Sequence, residues 1–265
     1  MSEGPTLLWQ NGMLAARDDC DVVPARIDAA DSWLVTSGSA LALDLHRRRW
    51  MDAAPDDIGV DELDVFWSRA IAAIPSEGSW FPRVEARHQR GLPQLLLRLR
   101  PAPELRRSLV LATADGPDPR TEPWVKGPDL PSMLRLRSRA QTRGADEAVL
   151  LDPDGAISDG STSAIAWWEG AELCIPDPEI PRVDSVTSRT LVALALALGV
   201  TVRGERAHPA DLDGREIWAL NALHGVRIVT GWVDGPAPAA EPGRLDLWRA
   251  RLDALRKPLP ADVPT

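Results

Sequence analysis

No stretch of apolar residues in this chain is longer than ten. The longest, Leu191 to Val200, falls well short of the roughly 18 residues that a bilayer-crossing helix requires, and it reads as a core helix. Elsewhere the apolar residues come in short runs parted by Gly, Pro, Asp and Ser, the pattern of many short strands with a few helices. Such a chain is expected to fold as an α+β protein. Its 265 residues suffice for one large domain or two modest ones. A hydrophobic fraction of 44% against 26% charged excludes disorder and collagen.

The net charge of −9 argues against a partner bound through its phosphate backbone, so no nucleic acid is expected. The start, Met1-Ser2-Glu3-Gly4-Pro5, has no basic and apolar leader, and a cytoplasmic location is the expectation. Cys20 and Cys174 are too few for a disulfide framework or a metal cage and read as small buried apolar residues. His46, His88, His208 and His224 have no ligand spacing, so no metal is expected. Eleven tryptophans stand beside two phenylalanines and no tyrosine, which excludes any mechanism that needs a phenolic hydroxyl. The tryptophans suit either a core or an apolar interface.

Along the chain, Leu7-Leu8-Trp9, Ser32 to Val35 and Ala40 to Leu45 read as strands, with a turn at Ser37-Gly38-Ser39. Residues 60–75 have helical spacing, and Pro93 to Leu99 and Leu109 to Ala112 are further strands. Asp115-Gly116-Pro117-Asp118-Pro119 is the best linker, so the domains are expected at 1–118 and 119–265. Beyond it, Asp129 is a candidate cap for a helix with Leu130, Met133, Leu134 and Arg137 on one stripe, ended by Gly144. Asp152-Pro153-Asp154-Gly155 is a turn between strands. Thr187 is a candidate cap for a helix from Ser188 to Leu198, and Leu245 to Leu255 is a terminal helix.

Four residues offer chemistry. Lys126, in Pro123-Trp124-Val125-Lys126-Gly127-Pro128, has apolar neighbours that can desolvate it and lower its pKa, as a lysine that bonds covalently to a carbonyl requires. Thr187 opens a helix whose first-turn N–H groups can hold a phosphate. Asp159 follows a strand and can pair with a protonated ring nitrogen. Arg49, in Leu43-Asp44-Leu45-His46-Arg47-Arg48-Arg49-Trp50, can hold a phosphate with two nitrogens. Alone, each has an ordinary reading: a solvated lysine, a helix cap, a turn aspartate, a basic surface run.

Their order makes a pattern. Val125-Lys126, Gly144-Ala145-Asp146-Glu147-Ala148, Leu150 to Gly155, Asp159-Gly160-Ser161-Thr162-Ser163, Ser185-Val186-Thr187 twelve residues before Gly199, and Asn221-Ala222-Leu223 together resemble the class IV aminotransferase family. These are fold-type-IV, pyridoxal-phosphate enzymes, including branched-chain and D-amino acid aminotransferases and aminodeoxychorismate lyases. In the first half, His46-x-x-Arg49 resembles the family's HxxR element. The resemblance implies a two-domain α+β fold, pyridoxal 5'-phosphate as cofactor, a small-molecule amino substrate and a homodimer. It assigns Lys126 the covalent bond to the cofactor and the movement of protons, and Asp159 the pyridine nitrogen. Arg49, Val186, Thr187 and Ala222 are assigned to the cofactor phosphate.

This chain also departs from the family. Asp159 stands where glutamate is usual, Ala164 where asparagine is, Ser188 where arginine is common, and Pro131 where branched-chain enzymes carry tyrosine. The missing tyrosine and Asn221-Ala222-Leu223 lean toward the lyase branch, which releases pyruvate and 4-aminobenzoate. An amino acid aminotransferase and a non-catalytic relative that keeps the fold remain open. Arg83, Arg98 and Arg100 are the candidates for a substrate carboxylate.

Overall fold

The computed structural model describes residues 4–17, 25–239 and 243–260. The chain forms two compact units. The first is Met1–Leu105 with Val125–Pro128 and Leu255–Thr265; the second is Arg106–Trp124 with Asp129–Ala254.

In the first unit, β1 (Thr6–Gln10), β2 (Met13–Ala16), β3 (Arg26–Ser32), β7 (Arg83–Gln89) and β8 (Leu92–Arg98) form an antiparallel sheet in the order β2-β1-β8-β7-β3. Between β3 and β7 come β4 (Val35–Thr36), β5 (Ser39–Ala40), α1 (Leu43–Asp52), α2 (Val60–Ala72) and β6 (Ser79–Trp80). Ser37 and Gly38, both at positive φ, close the two-residue hairpin from β4 to β5. Helix α2 buries Leu63, Phe66, Trp67, Ala70 and Ile71, a stripe of 3–4 spacing, against Val84, Ala86, Leu95 and Leu97 of the sheet. Trp33, Trp50 and Trp67 stack within the same core.

Helix α1 corrects the expected strand over Ala40 to Leu45. The alternating Ala-Leu-Ala-Leu imitates a strand, but Ala42 takes a left-handed φ of 49° and the helix starts at Leu43. What decides it is burial one turn apart, at His46 and Trp50.

The second unit is built on an eight-stranded mixed sheet. Its elements are β9 (Ser108–Thr113), α3 (Leu130–Thr142), β10 (Glu147–Leu151), β11 (Ile157–Gly160), β12 (Ala164–Glu169), β13 (Glu172–Pro176), α4 (Val186–Ala197), β14 (Val202–Glu205), β15 (Glu216–Asn221), β16 (Gly225–Val233) and α5 (Arg244–Asp253). The strand order is β11-β10-β9-β16-β15-β12-β13-β14. Central strands are apolar on both faces. In β12, Ile165 and Trp167 enter one core, while Ala166 and Trp168 enter the other beneath α4 and α5. Trp168, Trp218 and Trp248 meet there, with ring centroids 5.3–6.1 Å apart. The last strand, β17 (Lys257–Pro258), pairs with β5 of the first unit.

Three smaller expectations change. Asp129 stands at the start of α3, but its carboxylate accepts from Thr121 N, Thr121 Oγ1 and Glu122 N instead of capping the helix. The buried stripe of α3 is Met133, Leu136 and Ala140, and Leu134 is exposed. Cys174 is buried as expected; Cys20 lies outside the described residues.

Candidate active site

Residues 125–128 return to the first unit because they lie along β3. Ala30 N donates to Lys126 O at 2.6 Å. Gly127 passes so close that a Cβ there would stand 2.6 Å from Asp28 O and 2.9 Å from Ala29 Cα, so only glycine fits. This close approach to the edge strand joins Lys126 to the first unit.

One residue past Ala30, Asp31 is fully buried and organises α1. Its Oδ2 accepts from Arg49 Nε and its Oδ1 from Arg49 Nη2 and His46 Nδ1, all at 2.8 Å. Ser32 N donates to the same Oδ1 at 2.7 Å. Burial alone would raise the Asp31 carboxyl; the charges of Arg49 and His46 and these hydrogen bonds override it and hold it well below the usual range. Burial pushes the His46 imidazole down; Asp31 opposes that shift, while the charges of Arg49 and Lys126 add to it. Lys126 and Arg49 are 77 positions apart in sequence, and the structure brings both to β3 and α1.

In the second unit, Asp159 is the third residue of β11 and is 7% exposed. Burial raises its carboxyl to about 6 against the opposing charges of Arg120 and Arg182. Arg120 Nη1 donates to Asp159 Oδ2 at 3.1 Å, and Gly160 N to Oδ1 at 3.1 Å. Arg120 is itself gripped by Asp118, through Nε and Nη2. The loop after Asp159 is pinned by buried Glu147, which accepts from Ser161 Oγ, Thr162 N, Thr162 Oγ1 and Ser163 Oγ.

The cap of α4 is Ser185, whose Oγ accepts from Ser188 N at 3.3 Å, rather than Thr187. Val186 and Thr187 therefore form the first turn, where no carbonyl of the helix itself can accept their N–H groups. Thr187 is buried, and its hydroxyl has no hydrogen-bond partner among the described residues. Ala222 lies in the β15–β16 turn, closed by His224 N donating to Asn221 Oδ1 at 2.8 Å. Burial, then the charges of Arg227, Arg137, Arg106 and Arg249, push His224 down to about 4. Its Nδ1 accepts from Arg106 N, so it serves this turn as a neutral ring.

Within the second unit, the first-turn amides of α4 suit an anion and the buried Asp159 carboxyl suits a protonated nitrogen. Sequence reasoning missed Asp31, Arg120 and Glu147. Arg120 lies just past the apparent linker, and Asp31 sits in an unremarkable Asp-Ala-Ala-Asp-Ser run. Among the described residues the one potential metal cluster, Glu169, Cys174 and Glu205, is already met by Arg203.

Residues 28–232 match the amino-transferase class IV family, and the chain belongs to it. Its cofactor is pyridoxal phosphate. No curated relative matches the sequence. Among solved structures, a hypothetical aminotransferase from Mycobacterium tuberculosis in its apo form is 18% identical, with TM-score 0.76 over 95% of this chain and 98% of that one. An aminotransferase from Brucella abortus bound to the cofactor PLP is 17% identical, with TM-score 0.75 over 94% and 98%. A branched-chain aminotransferase from Thermoproteus uzoniensis with norvaline is 15% identical, with TM-score 0.79 over 96% of each chain. These likenesses establish the shared fold. No helix among the described residues is long and apolar enough to cross a membrane.

Proposed function

We propose that Lys126 binds the cofactor covalently and then carries the proton taken from the substrate's Cα, in an enzyme acting on a small amino substrate. The observation that carries this reading is the return of Lys126 to β3, beside the His46–Asp31–Arg49 cluster. When bound, the cofactor supplies an electron sink for the bond broken at Cα.

The remaining roles belong to the chain's own groups. Asp31 fixes two nitrogens of Arg49, so that the guanidinium is already oriented for an anion. The first turn of α4 offers the N–H groups of Val186 and Thr187 and the Thr187 hydroxyl to a phosphate, and Ala222 contributes backbone from the β15–β16 turn. Asp159, poised near pH 6, receives the ring nitrogen, with Arg120 and Gly160 N holding its carboxylate in place.

For the overall reaction we favour elimination from aminodeoxychorismate, because no tyrosine is present to contact the cofactor oxygen. Transamination of an amino acid is the second reading, favoured by the activity of the structurally similar branched-chain enzyme. A homodimer is part of either reading. The test is a visible spectrum of the protein mixed with pyridoxal phosphate, followed by D- and L-amino acids and then aminodeoxychorismate. A cofactor band that an amino acid bleaches supports transamination; pyruvate release from aminodeoxychorismate supports the lyase. A band of unchanged intensity in Lys126→Ala, fixed elsewhere by borohydride, refutes the lysine assignment.

A further inference from the structure

Arg227 lies in β16 of the second unit, opposite Ala219 of β15. Alternation puts it on the sheet face that Ala219 and Val229 give to an apolar core. The residue is 3% exposed and makes no hydrogen bond among the described residues; its Nε is fully enclosed without an acceptor. An arginine cannot shed its proton, so a permanent charge is buried there with its donors unmet. The carboxylate it approaches is Glu147, whose Oε2 stands 3.9 Å from Arg227 Nη2, beyond hydrogen-bonding distance. Glu147 is also engaged already, by Ser161 Oγ, Thr162 N, Thr162 Oγ1 and Ser163 Oγ.

The charges around Arg227 do not balance it. Burial pushes its pKa down; Glu147 opposes that shift, Arg137 adds to it, Asp146 opposes and Arg106 adds. Asp146 is engaged at both oxygens, Oδ1 by Arg106 Nη1 at 3.0 Å and Oδ2 by Val110 N at 2.9 Å. Arg137, half-buried on α3, donates through Nε to Asp146 O at 3.2 Å, and its terminal nitrogens make no hydrogen bond among the described residues. His224, a neutral ring, adds no charge. Three guanidiniums thus meet two carboxylates, and both carboxylates are taken. We propose that Arg227 and Arg137 bind a small oxyanion of the phosphate or sulfate class, which supplies the missing acceptors and the missing negative charge. The planar fork of a guanidinium matches the paired oxygens of such an anion. The site is built from α3, β10 and β16 and shares no side chain with the residues assigned to the cofactor phosphate. It goes beyond the function proposed above and does not rest on it.

The test is a titration of the holoenzyme, whose cofactor fills its own phosphate site, with inorganic phosphate against chloride at fixed ionic strength. At ten times its calorimetric dissociation constant, phosphate raises the wild-type melting temperature by roughly 3–6 °C. Arg227→Met, of similar length without the charge, removes that shift and melts no lower than the wild type in chloride. Arg137→Gln, on a half-buried helix position that tolerates the change, weakens phosphate binding roughly 10-fold. A wild-type shift no larger than chloride gives, or a wild-type shift in both variants, overturns the proposal. So does a shift seen only without cofactor and lost in Arg49→Ala, since that anion occupies the cofactor's own site. If pyridoxal phosphate does not bind, the same titration of cofactor-free Arg49→Ala still reads Arg227, so failure of the proposed function leaves this test intact.

Discussion

Replacing Asp31 by asparagine changes a single atom of a fully buried side chain. The carboxylate accepts four hydrogen bonds, from Ser32 N, His46 Nδ1 and two nitrogens of Arg49, at 2.7–2.8 Å. An amide oriented to keep its oxygen on Ser32 and His46 turns an N–H toward Arg49 Nε, donor against donor. It also removes the Asp31 charge from Arg49, which is 15% exposed. Removing one charge from a buried pair costs about 3–5 kcal/mol. For a chain of this size that lowers the melting temperature by roughly 6–20 °C. Differential scanning calorimetry at pH 7.5 measures it. The sign of the pH dependence is also set. The folded carboxyl titrates below the unfolded one, so its stabilisation is present above about pH 4 and is lost as pH falls through the folded value. The gap between wild type and variant therefore narrows at pH 3. A shift under about 2 °C at pH 7.5, or a gap that persists undiminished in acid, would refute the reasoning.

Asp159 behaves in the opposite sense. Its folded pKa of about 6 lies above the unfolded 3.8, so the carboxyl favours folding in acid and opposes it by ~3 kcal/mol above pH 6. Asp159→Asn should leave the cofactor-free protein at least as stable at pH 7.5, by urea titration, yet slow Cα proton exchange strongly in the loaded enzyme. Glu147→Gln withdraws charge from four donors of the 161–163 loop and should lose about 2–4 kcal/mol, read from the same titrations. Arg49→Ala should weaken cofactor binding, measured by equilibrium dialysis, far more than it slows turnover at saturating cofactor.

What sequence could show depended on how local the cause was. Helix α2 was legible because Leu63, Phe66, Trp67, Ala70 and Ile71 repeat at helical spacing. So was α4, where a cap, an apolar run and Gly199 fall in order, although Ser185 rather than Thr187 does the capping. Helix α1 was not, because its alternating start reads as a strand, and the pull of Asp31 on His46 and Arg49 comes from another element. Arg49 and Asp159 were found by resemblance, but their partners Asp31 and Arg120 follow from long-range geometry that no spacing announces.

The pairing of β17 with β5 bears on how this protein emerges from the ribosome. Lys257 lies opposite Ala40, and Arg256 donates to Leu34 O and Ser39 O. The hairpin made near the start of synthesis waits more than two hundred residues for its neighbour. Residues 125–128 likewise reach β3 only after the first hundred have been translated. The N-terminal unit therefore receives its final strand only after the second unit has been translated. Ribosome-bound chains ending before residue 256 should present a protease-sensitive 34–40 segment that becomes protected once β17 is included and has emerged.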